Sequence, residues 1–138
     1  MTQQTVLREH PLVRFAEPVQ LFDLKRVAEV LATEPADTPG GHNQIALYKH
    51  NLTTIALFAF QQGGTIPDHS ADGTIFIQVV EGALTVTVEQ TPQRIQTGQL
   101  LVLAPNIPHD IVAEMPTLML MTISLEEEKL EDIPPAVK

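Results

Sequence analysis

No cysteine or tryptophan occurs in the chain, aromatic residues make up 4% of it, and only eight lysines and arginines face seventeen aspartates and glutamates. Each shortage excludes something. Without cysteine there is neither a disulfide framework nor a thiolate metal site, and a cytoplasmic protein is expected. A net charge of −9, with Arg94 the sole cation between His50 and Leu125, argues against nucleic acid, whose phosphates are neutralised by several Lys or Arg. Long apolar runs are missing too: the longest, Ile55 to Phe60, has six residues, where a membrane-spanning helix takes roughly 20. Near the amino end, Arg8, Glu9, Pro11, Arg14, Glu17 and Pro18 interrupt the apolar block that a secretory peptide would carry. No membrane or nucleic-acid partner is expected.

What remains is a chain of 138 residues, 43% apolar, with 11 prolines and 7 glycines, enough apolar mass to close one core and too much for disorder or a fibrous repeat. Three zones divide it: an amino-terminal helical and extended segment over 1–40, a β-rich body over 41–125 and an acidic tail over 126–138. In the first, Leu24, Val27, Ala28 and Leu31 recur at helical spacing after Asp23, a capping residue, and before Pro35, which ends the run. Turn chemistry from Ala36 to Gly41 leads into the second zone. The tail gathers Glu126, Glu127, Glu128, Glu131 and Asp132 and reads as a solvated helical turn with a frayed end.

The body breaks into eight short β runs: 44–49, 53–60, 74–80, 84–89, 94–96, 100–103, 111–113 and 117–124. Runs so spaced predict an all-β sandwich or barrel. Leu84, Val86 and Val88 alternate with Thr85, Thr87 and Glu89, the pattern of a strand wet on one side. The runs over 53–60 and 117–124 are apolar on both faces, so each needs a cover outside the barrel as well as a core within it. Either the amino-terminal helix or a second copy of the chain supplies that cover, and a two-fold homodimer is expected.

Two segments carry chemistry, Gly63 to Gly82 and Gly98 to Ile111. In the first, Gly63, His69 and Gly82 stand at the positions of one conserved sequence motif, with Ala71 and Ile75 where that motif has a second histidine and a glutamate. In the second, Gly98, Pro108 and His109 match a partner motif, and Ala104-Pro105-Asn106 occupies the place of a Pro-x-Gly turn. The chain thereby resembles the cupin superfamily, and most closely its small single-domain members of the conserved-barrel type, with degenerate metal motifs. The resemblance covers about half the chain, from Gly63 to Ser124. It implies a double-stranded β-helix, the jelly-roll barrel, with a pocket in its mouth and often a homodimer. It further implies a site for Fe, Mn, Ni or Zn held by imidazoles and a carboxylate.

Strand parity tests that implication. If His69 points inward, so do Ala71, Ile75, Ile77 and Val79, while Asp68, Asp72 and Gln78 point away unless a bulge intervenes. His109 shares a face with Ile111 and Ala113, which turns Asp110 and Glu114 outward. Two protein ligands, His69 and His109, are therefore in place, an incomplete shell that would hold a divalent metal weakly. Ile75 and Ile77 would line an apolar pocket around the two imidazoles. Of the other histidines, His10 reads as solvated, His42 as a polar turn residue and His50 as part of a hairpin turn with Tyr48 beside it. No Ser, Cys or Lys stands out as a nucleophile: Ser70 faces away from His69, and Lys49 lies near a turn.

The function read from these residues is a small-molecule-binding protein with an apolar pocket marked by two histidines, taking a largely apolar organic ligand with one polar handle. The alternative is a metal-dependent cupin enzyme, a dioxygenase, isomerase or decarboxylase. A third reading is a dimeric sensor or scaffold module with Met115 to Met121 as its contact strand.

Overall fold

The structure, a computed structural model, describes residues 15, 17–35 and 40–126. The expectations for His10, for most of the Ala36–Gly41 turn and for the tail beyond Glu126 lie outside the described residues.

Among the described residues one helix and nine strands follow each other: α1 (Leu24–Ala32), β1 (His42–His50), β2 (Thr53–Phe60), β3 (Thr65–His69), β4 (Gly73–Glu81), β5 (Ala83–Val88), β6 (Thr91–Gln96), β7 (Leu100–Leu103), β8 (His109–Ala113) and β9 (Thr117–Leu125). They build two antiparallel sheets, ordered β1-β2-β9-β4-β7 and β3-β8-β5-β6. The fold is the all-β jelly roll the sequence predicts. The sheets close on a core of inward residues that includes Phe58, Ile75, Ile77, Leu84, Val86, Ile111, Met119 and Met121. Gly82 makes the corner where the chain passes from one sheet to the other. Its φ of 112° and a Cβ position 2.5 Å from Thr117 Oγ1 leave room for glycine alone.

The doubly apolar strands have their outer cover. Asp23 caps α1 by accepting the Arg26 amide at 3.4 Å, and Val27 and Leu31 pack onto Ile45, Leu47, Leu57 and Leu118 on the outer face of β1, β2 and β9. Asn43 on β1 fastens the helix end by donating to the carbonyls of Leu31 at 2.9 Å and Glu34 at 3.2 Å, groups that a helix terminus leaves unpaired. The helix, rather than a second chain, thus fills this half of the face. Farther along it, Leu100 and Val102 on β7 stay 56% and 50% exposed.

Two sequence expectations change. A ninth strand, β3, joins the eight runs the sequence predicts, its β pattern being broken there by Pro67 and Asp68. His42, expected in a turn, opens β1 and is buried.

Candidate functional site

His69 ends β3, and His109 begins β8 directly opposite it in the register. Reaching that position takes a device. The β3–β8 register slips between Ile66 and His69, and Asp68 takes a left-handed φ of 48°. Asp110, on the outer face of β8, holds this irregularity: its Oδ1 accepts the Asp68 amide at 2.6 Å. On the other side Asn106 adopts φ 64° in the turn before β8 and donates its amide to the Ala71 carbonyl at 2.8 Å. Asparagine tolerates this conformation better than most residues, so it stands in for the glycine of the usual motif.

The two rings meet edge to face, with centroids 5.1 Å apart, and His69 Nδ1 lies 3.3 Å from His109 Nε2. Their protons follow from one further contact. His109 Nδ1 is 3.1 Å from the Ile107 carbonyl, which only accepts, so Nδ1 carries the hydrogen. In the neutral ring Nε2 is then an acceptor, and His69 Nδ1 donates to it. The chain of bonds ends at His69 Nε2, a bare lone pair with no hydrogen bond among the described residues. His109 is 2% exposed and His69 half-buried, so His69 presents the pair to the outside. Burial, and then the neighbouring His109, push the His69 pKa below its ordinary value.

Ile75 and Ile77 point inward and are 1% and 0% exposed, and Ala71, Val88, Ile107 and Ile123 pack partly buried against the same core. Ser70 and Asp72 are exposed. His42 lies at the other end of the barrel, paired with Phe60. Its Nε2 is 3.0 Å from Gln44 Oε1, and its ring stands 5.6 and 5.3 Å from those of Phe58 and Phe60.

The donor set decides how far a metal fits. Two nitrogens bound to one tetrahedral ion stand about 3.3 Å apart, so His69 Nδ1 and His109 Nε2 have the spacing of one edge of a coordination shell but would share a metal only after His69 Nδ1 gives up its hydrogen, while the Ile107 carbonyl orients His109 as groups behind metal ligands do. The rest of a shell is not there. Ala71 and Ile75 carry no donor, Asp110 is bonded on the outer face, and no cluster of three or more His, Cys, Asp or Glu suited to a metal occurs among the described residues.

Residues 56–123 match the cupin domain family. The chain is a small cupin-domain protein. Solved cupins have the same fold as this one. An RmlC-like cupin protein of Desulfovibrio desulfuricans superposes with a TM-score of 0.63 at 22% identity, over 77% of this chain and 96% of that one. A conserved protein of unknown function from Streptococcus pyogenes gives 0.60 at 24% identity, over 66% and 80%. Salicylate 1,2-dioxygenase of Pseudoaminobacter salicylatoxidans, solved with gentisate, gives 0.64 at 17% identity, over 75% of this cupin and 32% of the enzyme. No curated protein matches the sequence. Among the described residues no helix is long and apolar enough to cross a membrane.

Proposed function

We propose that this cupin binds a small, largely apolar organic molecule in its barrel mouth, through one group that donates a hydrogen bond to His69 Nε2. The relay from the Ile107 carbonyl through His109 to His69 carries the reading: it leaves the half-buried His69 with an acceptor lone pair at Nε2, at the end of β8 where His109 pairs with Val88. Ile75 and Ile77 form the apolar floor. A pocket with an apolar lining and a single polar anchor selects shape first and one hydrogen bond second.

A divalent metal such as Ni, Zn, Fe or Mn is held weakly here, because two neutral imidazoles supply no charge to offset a dication. A dioxygenase, isomerase or decarboxylase of the cupin type would have to draw its remaining ligands from water or substrate. A cysteine-free chain favours a cytoplasmic protein. A homodimer is proposed through the uncharged outer face of β4 and β7, where Phe76 pairs with Val102 and Gln78 with Leu100: a chain of net charge −9 meets its copy most readily through a surface without charge.

The test is a thermal-shift screen of small hydroxyl- and N–H-bearing compounds, followed by calorimetry on wild type and His69→Ala. Compounds that raise the melting temperature of wild type and not of His69→Ala support the reading. Hits indifferent to His69→Ala overturn it. Elemental analysis of protein purified without chelator should give well under one metal per chain, and a full equivalent surviving dialysis would favour the enzyme.

A further inference from the structure

The mouth has a second polar residue, supplied by the edge strand β1. Across the five-stranded sheet Lys49 pairs with Thr54, Thr54 with Ile123, Ile123 with Ile75 and Ile75 with Leu103. These residues form one cross-strand row. Ile75, Leu103 and Ile123 belong to the inter-sheet core, so the row lies on the inner face. It sits at the end of the barrel where the His69 turn feeds into β4.

Lys49 reaches that face because of a bulge. His42, Gln44 and Ala46 pair with Phe60, Phe58 and Ala56 on the inner side, and the register then slips between Ala46 and Tyr48. Leu47 is buried in the outer cluster under α1. Tyr48 stays on the outer side, its ring centroid 6.2 Å from both Phe15 and His50. Without the slip Lys49 would face outward and His50 would face the barrel. Bulges are over-represented at barrel rims and beside active sites, where they re-aim a side chain.

Lys49 is exposed and has no hydrogen bond or ion pair through its side chain among the described residues. Arg94, the other cation on a strand, is committed elsewhere: its Nε donates to Glu114 at 2.8 Å on the outer face of the other sheet, where Glu114 also accepts from Thr85. Among the described residues Lys49 is therefore the sole Lys or Arg at an inward strand position.

We propose that Lys49 is an anion subsite of the mouth and that the ligand is a small monocarboxylate with an apolar body and a hydroxyl or N–H at its far end. The carboxylate meets the Lys49 ammonium, the body crosses Thr54, Ile123 and Ile75, and the far group donates to His69 Nε2. This rests on the reading in which His69 binds the ligand. β1 and β3 are edge strands of different sheets, joined at their starts by the Thr65 amide on the Gly40 carbonyl at 2.7 Å. Facing sheets stand about 10 Å apart, so a ligand touching both anchors needs a chain of several carbons. Asp68 and Asp72, exposed on the β3–β4 side, repel a second negative charge and set the ligand's direction.

Calorimetry with ω-hydroxyalkanoates of about four to ten carbons and their methyl esters tests this on wild type, Lys49→Met, Lys49→Arg and His69→Ala. One chain length should bind about tenfold more tightly as the acid than as the ester. Lys49→Met should bring the acid down to the ester, Lys49→Arg should retain the preference, and His69→Ala should weaken acid and ester alike. Equal binding of acid and ester, both lost in His69→Ala, overturns the Lys49 subsite and leaves the His69 reading standing, as does an acid preference that survives Lys49→Met. Binding that needs Lys49 and ignores His69 overturns the two-anchor ligand and the His69 reading together, whereas failure of every member to bind overturns the carboxylate ligand and leaves the His69 reading to the thermal-shift screen.

Discussion

Asp110 accepts the backbone amide of Asp68 at 2.6 Å from the face of β8 opposite to the imidazoles, and this bond fixes the irregular turn of β3 that carries His69 to His109. Only an acceptor is required of it. Asp110→Asn keeps one and should preserve the imidazole pair. Asp110→Ala should cost about 1.5–3 kcal/mol, the net worth of a hydrogen bond to a charged group, and should free His69 from His109. Urea denaturation measures the first effect, and imidazole nitrogen NMR, which reads tautomer and hydrogen bonding, measures the second. An Asp110→Ala variant with an unchanged His69 Nδ1 signal would mean that the bulge stands without the carboxylate.

Burial and the adjacent His109 lower the pKa of His69 below 6.5, its unperturbed value. A lowered pKa means that the unfolded chain binds the proton more tightly than the native one. The stability that His69 leaves intact at neutral pH is therefore fully present above about 6.5 and is lost as the pH falls through the native value. Denaturation curves from neutral to mildly acidic pH should show wild type losing more stability than His69→Gln. Parallel pH profiles for the two proteins would contradict the depressed pKa.

Much of this was legible from the chain alone, and the misses share a cause. Local signals marked α1, since its cap and its apolar spacing lie within one short stretch. The strands over 53–60 and 100–103 were equally plain, being uninterrupted by Pro, Gly or charge. What escaped depends on partners distant in sequence. β3 holds Pro67 and Asp68 in a strand because Asp110, across the sheet, bonds to it. His42 follows two glycines and reads as a turn, yet β2 draws it into a ladder beside Phe60. Lys49 reads as a residue near a turn, but its face is set by a bulge, and a register slip leaves no periodic trace in one strand. The imidazole pair itself was accessible, because motif spacing singled out His69 and His109 in the two segments that β3 and β8 bring together.

Ile75 occupies the place of the family's glutamate and is 1% exposed. Ile75→Glu should therefore destabilise the metal-free protein by about 3 kcal/mol or more, the scale of burying a polar group without a partner. It also adds a third donor beside His69 and His109. Added Zn or Ni should recover much of the loss and raise the melting temperature, by binding the native state alone. A melting temperature of Ile75→Glu indifferent to metal would show that the side chain at 75 does not face the imidazoles.

Leu31 and Leu100 separate the two ways of covering the outer sheet. Leu31 is 0% exposed under α1, and Leu31→Ala should cost about 2–5 kcal/mol, as large-to-small changes in packed cores do, whatever the state of association. Leu100 and Val102 are exposed on an edge strand whose outer face carries no charge. Such a strand invites pairing with another chain. Light scattering should report twice the chain mass for wild type and a monomer for Leu100→Lys with Val102→Lys, the doubled charge being incompatible with a two-fold contact that sets each lysine near its own copy. The double variant should keep wild-type denaturation behaviour once the contribution of association is allowed for. A monomeric wild type would mean that α1 alone suffices as cover and that the β7 face is left to water.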